Sequence, residues 1–201
     1  SAFSEYSKVR NSRGLTGADA AREILDRNGL TNVRIEHISG SLTDHYDPKA
    51  NVIRLSDDVY GSATVAAVGV AAHEAGHAVQ YAEGYYPIKI RNAIIPVTRF
   101  GSSLSTPLVI LGLALSWDFL ITAGILLFCA VVLFQAITLP VEFNASGRAL
   151  KTLRSSHFLE DDEMKGARSV LTAAAMTYVA AMLSALLSLV RLLVISGRRR
   201  R

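Results

Sequence analysis

The sequence predicts a mainly helical membrane protein that carries a small antiparallel β-sheet. Half of the 201 residues are hydrophobic and the mean hydropathy is positive, at +0.30, which is unusual for a soluble domain. The apolar residues are concentrated in three charge-poor runs of helical length, and short runs typical of strands precede them. A hydrophobic bundle in a soluble protein is the less favoured alternative, because such runs leave too little polar surface to cover a domain of this size.

The N-terminal region predicts one helix followed by three short strands. Leu15–Asp19 places a hydroxyl residue at a helix N-cap with a carboxylate three positions later, and the helix should end near Gly29. The alternating run Val33–Ile38 and the runs Leu42–Asp47 and Val52–Leu55 read as strands. A turn rich in turn-forming residues separates the last two, so we expect them to pair as a hairpin.

The apolar runs predict a transmembrane helical hairpin and one further membrane helix. Between residues 99 and 142 the only charged residue is Asp118, which divides the stretch into Phe100–Trp117 and Phe119–Val141. As helices these would be about 27 and 35 Å long, close to a hydrocarbon core of about 30 Å. Ser169–Val190 is also charge-free and long enough to span, although its Ala and Ser content suits it to packing against other helices.

Charge is balanced outside the membrane runs. Residues 1–99 carry eleven basic and eleven acidic side chains, and residues 142–168 carry five of each. The formal charge of +4 comes from Arg191 and the terminal Arg198–Arg201, offset by Asp118. No clustered basic face with aromatic residues is visible in the sequence, which argues against nucleic acid as a partner. The arginine tail is expected to bind lipid headgroups of the bilayer.

A metal-binding motif follows a helix of small residues that begins near Ser62. In His73-Glu74-Ala75-Gly76-His77 the histidines are four apart, so on a helix both imidazoles project from one face and can bind one zinc ion. Glu74 lies beside that face, where a carboxylate can take a proton from the attacking water. Gly76 costs the helix about 1 kcal/mol relative to alanine, and it predicts the close approach of another element.

The third ligand is sought downstream, because a catalytic zinc site uses three protein ligands and leaves one position open. The candidates are His157 and Glu142. Since a hairpin returns the chain to the side that it left, Glu142 should emerge on the same membrane face as the His73 helix. The alternative is that Glu142 is an interfacial carboxylate that merely ends a helix.

These motifs resemble the neutral zinc metallopeptidases of bacterial membranes, of the YugP type. The resemblance covers nearly the whole chain and is carried by five stretches: Lys8–Asn11, Gly14–Gly17, Leu42–Pro48, Val70–Ala78 and Leu139–Ser146. It implies that His73, His77 and Glu142 bind one Zn²⁺ and that Glu74 is the catalytic acid and base. Members of this family usually begin with a further membrane helix ahead of Tyr6.

The glutamate that follows a membrane hairpin is also similar to the gluzincin-like layout of the HtpX-type membrane peptidases. Ala145 matches the position three residues after the ligand glutamate. Ser146 stands where those enzymes have aspartate, so the support of the metal histidines should differ.

Four other residues are weaker candidates for the site. His45 and Tyr46 lie on a predicted edge strand and could line the substrate cleft, although hairpin-turn chemistry explains this region without a function. Arg148 and His157 could stabilise the oxyanion of the tetrahedral intermediate. The alternative for both is an interfacial or surface polar position.

The sequence therefore predicts four parts. Residues 1–99 form a zincin-like part with the His73 helix, 100–141 a transmembrane hairpin, 142–168 the third-ligand helix with a polar segment, and 169–201 a membrane helix with a basic tail. The expected function is zinc-dependent hydrolysis of peptide bonds, of the endopeptidase type, in membrane or unfolded polypeptides. The alternative is a noncatalytic membrane protein in which zinc clamps the helices, which would call for a fourth ligand and has no use for Glu74.

The expected location is the bacterial cell membrane, with several spans and the site facing the cytoplasm. Basic residues flank the hairpin on the side of the site, whereas its turn has none, and this bias favours the cytoplasm. They are Arg91, Arg99, Arg148, Lys151 and Arg154. The arginine tail favours the opposite orientation if Ser169–Val190 spans.

Overall fold

The structure is a computed structural model and describes residues 2–198, which form six helices and three strands. The helices are α1 (Ala2–Tyr6), α2 (Gly17–Arg27), α3 (Val65–Ala82), α4 (Tyr86–Ala114), α5 (Asp118–Ser155) and α6 (Asp161–Arg198). The strands are β1 (Arg34–His37), β2 (His45–Asp47) and β3 (Val52–Leu55). The arginines after residue 198 lie outside the described residues, as does the side chain of Arg198.

The start of α2 confirms the N-cap that the sequence predicted. The Thr16 side chain accepts a hydrogen bond from the Asp19 backbone N–H, and the Asp19 carboxylate accepts one from the Thr16 N–H at 2.8 Å. The helix ends at Arg27, and its C-cap residue Asn28 is followed by Gly29, which has a φ of +70°. A glycine tolerates this left-handed conformation at no steric cost, so the chain can leave the helix sharply.

The three strands form one mixed sheet in the order β1-β3-β2. β2 pairs antiparallel with β3, with Tyr46 opposite Ile53, which confirms the predicted hairpin. β1 pairs parallel with β3, with Ile35 opposite Ile53, so the expectation of an antiparallel sheet is wrong for this pair. After β1 the chain crosses to the outer edge of the sheet and forms β2 there. The β2–β3 hairpin then places β3 between β1 and β2, where it runs parallel to β1.

The described chain divides into two compact units. The first contains the chain up to Tyr85 together with Glu142–Met176, and the second contains Tyr86–Val141 and the chain from Thr177. In the first unit, α2, α3 and β3 share one apolar core with the adjoining parts of α5 and α6. Its fully buried side chains include Leu25, Leu55 and Leu153.

In the second unit, α4 and α5 pack closely through glycines. A Cβ built on Gly101 would lie 2.8 Å from the carbonyl oxygen of Leu127, and one on Gly124 would lie 2.6 Å from that of Ser105. Both distances are far shorter than ordinary carbon–oxygen contacts, so only glycine permits this approach. Small residues have the same use between membrane helices, where close packing replaces the hydrophobic effect.

All three long helices exceed the apolar runs that the sequence marks. α4 and α5 are separated by a short turn around Ser116, just before Asp118, as expected. α4 begins fourteen residues before Phe100 and α5 continues well beyond Val141, because helices extend into polar sequence that a search for uncharged runs does not detect. By length and composition, α4, α5 and α6 as far as Gly197 are each able to cross a membrane.

Candidate metal centre

Helix α3 carries the histidine motif and is built to be approached closely. Thr64 caps its N-terminus by accepting a hydrogen bond from the Ala67 N–H, and the helix is then composed largely of Ala, Gly and Val. A Cβ built on Gly76 would lie 2.5 Å from the carbonyl oxygen of Ala145 on α5. The close approach that Gly76 predicted is therefore confirmed, and the neighbouring element is the helix that contains Glu142.

This approach brings three metal-ligating side chains together. One ligand atom from each of His73, His77 and Glu142 lies within 4.8 Å of the other two. The Nε2 atoms of His73 and His77 lie 3.1 and 3.7 Å from Glu142 Oε2. Ligand atoms bound at about 2.0 Å to a tetrahedral zinc ion are about 3.3 Å apart, so these distances suit one ion.

The donor set also fits zinc. Two imidazole nitrogens and one carboxylate oxygen form a usual catalytic zinc set, and thiolates are not required. The Glu142 side chain is only 2 % exposed, compared with 16 % for His73 and 11 % for His77, so the group opens to solvent on the histidine side. Among the described residues, no fourth His, Cys, Asp or Glu joins the group.

The outer nitrogen of each histidine also has a partner. His73 Nδ1 lies 3.1 Å from the Ser146 hydroxyl, at the position where the sequence departs from the aspartate of the HtpX-type layout. His77 Nδ1 lies 2.9 Å from Gln80 Oε1. Such contacts fix the ring orientation and leave Nε2 directed at the metal position.

Gln80 in turn is linked to α5. Its amide nitrogen donates a hydrogen bond to Asn144 Oδ1 at 2.9 Å, and the Arg148 Nε–H donates to the same oxygen at 2.7 Å. Arg148 also forms an ion pair with Glu83 and lies over the ring of Tyr85. Sequence reasoning gave Gln80 and Asn144 no role. Their spacing could have indicated these contacts, because residues three or four apart on a helix are neighbours. Gln80 follows His77 by three residues, and Arg148 follows Asn144 by four.

The contact with Glu142 acts against burial in setting the pKa of His77. Burial lowers the pKa of the imidazole, but the hydrogen bond with Glu142 and the charges of Glu74 and Glu142 raise it. The net result is a pKa above its ordinary value. A proton therefore competes with a metal ion for the Nε2 atom of His77.

Glu74 stands apart from the three ligand residues and faces the sheet. Its carboxylate accepts a hydrogen bond of 3.0 Å from the backbone N–H of Tyr46 on β2. Since β2 is an edge strand in the sheet order β1-β3-β2, this N–H points away from β3. A carboxylate thus lies beside the metal group and contacts the outer edge of the sheet.

The two predicted substrate-binding residues lie on this strand. The Tyr46 ring packs edge-on against Tyr81, with centroids 5.5 Å apart, and its hydroxyl donates to Asn51. His45 Nδ1 lies 2.7 Å from the Thr43 carbonyl, and its Nε2 faces Arg54. Because arginine only donates, His45 must accept from Arg54 and donate to Thr43. Both ring nitrogens of His45 are therefore engaged by groups in or beside the β2–β3 hairpin.

The structure does not bring His157 to the metal group. This residue follows the end of α5, fifteen residues after Glu142, and fourteen residues of helix alone rise about 20 Å. Its backbone carbonyl accepts from Arg13, and its side chain lines a separate cavity of about 630 Å³ with Lys151, Arg154 and Arg168.

Comparison with known proteins gives a consistent result. Residues 1–197 match the protein family described as "Putative neutral zinc metallopeptidase". The chain is 49% identical over 193 residues to "Putative membrane protease YugP" of Bacillus subtilis (strain 168), and the alignment covers 96% of this chain and 86% of that relative. No solved structure matches the chain.

Proposed function

The chain belongs to the neutral zinc metallopeptidase family, as its motifs predicted, and on that premise we propose that it is a membrane peptidase of the endopeptidase type. Its single zinc ion would be bound by His73, His77 and Glu142. The observation that carries the proposal is a group of three residues that could bind a metal ion, with a fourth residue, the acidic Glu74, beside the group but outside it. This division of roles is what metal-assisted peptide hydrolysis requires.

The zinc ion and Glu74 would have different roles in the hydrolysis. When bound, zinc would supply a Lewis acid that makes a water molecule more acidic and polarises the substrate carbonyl. Glu74 takes the proton from the attacking water at its carboxylate and passes it to the leaving amine nitrogen. His73 and His77 lie one helical turn apart on α3, which sets both rings on one face of the helix, and Glu74 lies beside that face.

The edge strand offers a way to bind an extended polypeptide. Tyr46 presents its backbone N–H away from β3, so a substrate strand can pair with β2 by backbone hydrogen bonds. In the structure, Glu74 accepts a hydrogen bond from this N–H. An arriving peptide carbonyl would replace that acceptor and release the carboxylate for proton transfer. Backbone pairing of this kind favours unfolded segments over folded ones.

The long helices support a location in the bacterial cell membrane. They expose large apolar side chains that would be costly in water, including Phe100, Phe119 and Leu187, each about two-thirds or more exposed. We propose that α4 and α5 form a transmembrane hairpin, that α6 spans as a further helix, and that the third ligand follows the hairpin in a gluzincin-like layout. Substrates would then be membrane proteins or unfolded segments near the bilayer surface.

The orientation proposed from the basic residues flanking the hairpin places the site in the cytoplasm. A single cysteine at Ser62, in a chain whose exposed Cys129 has been replaced by serine, tests this orientation. In intact cells an impermeant thiol reagent should leave the cysteine unlabelled, whereas a permeant reagent should label it. Labelling by the impermeant reagent would reverse the proposed orientation.

The decisive experiment for catalysis is Glu74→Gln in the full chain in detergent. The variant should keep one zinc per chain and the wild-type fold but lose casein hydrolysis, because glutamine cannot accept the proton. Glu23→Gln is a matched control, since Glu23 lies on α2 and pairs only with Arg27 among its described ion pairs. Hydrolysis retained by a zinc-loaded Glu74→Gln chain would refute the role given to Glu74, whereas a zinc-loaded wild type without hydrolysis would favour the alternative, in which zinc only clamps the helices.

A further inference from the structure

The side chains that extend outward from His77 form a chain of hydrogen bonds in which the donor and the acceptor of each bond are fixed. His77 contacts Gln80, Gln80 contacts Asn144, and Asn144 contacts Arg148, at 2.9, 2.9 and 2.7 Å between the bonded atoms. Gln80 is fully buried, and Asn144 and Arg148 are partly buried. Low exposure makes a mismatched pair of donors or acceptors costly here, because water is not at hand to replace the lost bond.

The direction is set at the arginine end. Arginine carries only donors, so Asn144 must turn its oxygen toward Arg148. The same oxygen then accepts from the Gln80 amide nitrogen, and this leaves the Gln80 oxygen facing His77. Turning over either amide would place two donors or two acceptors face to face. An oxygen opposite His77 Nδ1 requires a hydrogen on that nitrogen, so the lone pair is kept on Nε2.

We propose that Arg148 is a positioning residue that selects the metal-binding tautomer of His77 through Asn144 and Gln80. The proposal rests on the proposed function, because it takes His77 to be a zinc ligand through Nε2. It gives Arg148 a different role from the oxyanion stabilisation expected from the sequence. Its guanidinium is engaged with Asn144 and Glu83 and so acts on the metal group from outside.

The second histidine provides an internal contrast. His73 Nδ1 faces the Ser146 hydroxyl, which can either donate or accept. That contact orients the ring but does not choose between its tautomers. Of the two histidines, only His77 therefore has its tautomer selected by an arginine. This residue, Arg148, follows Asn144 by one helical turn.

Zinc dissociation constants of the full chain in detergent, measured by competition with a chromophoric chelator, test the proposal. Arg148→Leu and Asn144→Leu should weaken zinc binding by about 10- to 100-fold, the usual cost of losing a residue that orients a ligand. Asn144→Asp should bind zinc nearly as the wild type does, because a carboxylate only accepts and so preserves the direction of the chain. Arg154→Leu, on the same helix but outside the network, is the matched control and should have no effect.

The two Asn144 variants separate direction from packing. If Asn144 served only to fill space, the leucine variant, which has the same branched outline, would keep zinc as the aspartate variant does, and the proposal would fail. It would also fail if Arg148→Leu kept wild-type affinity. Should either leucine variant not fold, the affinity of Asn144→Asp alone decides, since loss of zinc there contradicts the proposed direction. Failure of the wild type itself to bind zinc would instead overturn the proposed function.

Discussion

A single methyl group added at Gly76 should separate the two helices that form the metal group. In Gly76→Ala the new Cβ would lie 2.5 Å from the carbonyl oxygen of Ala145 and 3.1 Å from its carbonyl carbon. These are backbone atoms of α5, so no side-chain rotation can relieve the clash. The helices must move apart by about 0.9 Å before this Cβ reaches the 3.4 Å at which ordinary contact begins.

The size of this movement determines its effect on the metal. Glu142 precedes Ala145 by three residues on the same face of α5, so it moves with the helix. Zinc–ligand distances tolerate about 0.2 Å, and a displacement of about 0.9 Å exceeds this several-fold. We therefore expect Gly76→Ala to weaken zinc binding at least tenfold. The gain in helix propensity, about 1 kcal/mol, is opposed by an overpacking cost of about 1–3 kcal/mol.

The assay combines zinc affinity with the melting temperature of the metal-free chain in detergent. Gly147→Ala is the matched control, since Gly147 lies inside α5 and a Cβ built there meets nothing within 4 Å. The control should leave zinc binding unchanged and raise the melting temperature. If Gly76→Ala instead behaved like the control, with higher stability and normal zinc affinity, the reasoning from close approach would be refuted.

Three further predictions concern the same group. Glu142→Ala should lose most bound zinc by metal analysis whereas His157→Ala keeps it, and the reverse pattern would reassign the third ligand. Ser146→Ala should weaken zinc binding less than Glu142→Ala does, because it removes only an orienting contact, as chelator competition can measure. Zinc affinity should fall as the pH is lowered, and the fall should begin above the ordinary imidazole range. The reason is that the raised pKa of His77 keeps a competing proton bound at higher pH. A zinc affinity that does not change with pH would contradict this prediction.

The residues at the centre of the site were predictable because their spacing carries the chemistry. The four-residue interval between His73 and His77 fixes one helix face, and the hairpin expected from the apolar runs directed the search for a third ligand to the chain after residue 141. The partners that orient these ligands were not predictable in the same way. Gln80 and Asn144 acquire a role only when α3 and α5 lie side by side, which depends on Gly76 and Ala145 together.

The fold errors have a similar origin. Alternation of side chains marked the strands but carries no information about their direction, so the parallel pairing of β1 with β3 was missed. Leu42 was placed in a strand, yet it has a φ of +58° and β2 begins only at His45. Helix lengths were underestimated because uncharged runs mark the part of a helix that suits lipid, and α5 continues through Pro140 into polar sequence.

The contact between Tyr46 and Glu74 makes one backbone amide a spectroscopic sensor of the site. Its hydrogen is shielded by a carboxylate and not by a neighbouring strand, so its exchange rate and nitrogen shift depend on where that carboxylate lies. An inhibitor that draws Glu74 away, or a peptide that pairs with the strand edge, would each change the signal in a different direction. Compounds could thus be screened for binding at this site by observing a single resonance, without the use of a substrate.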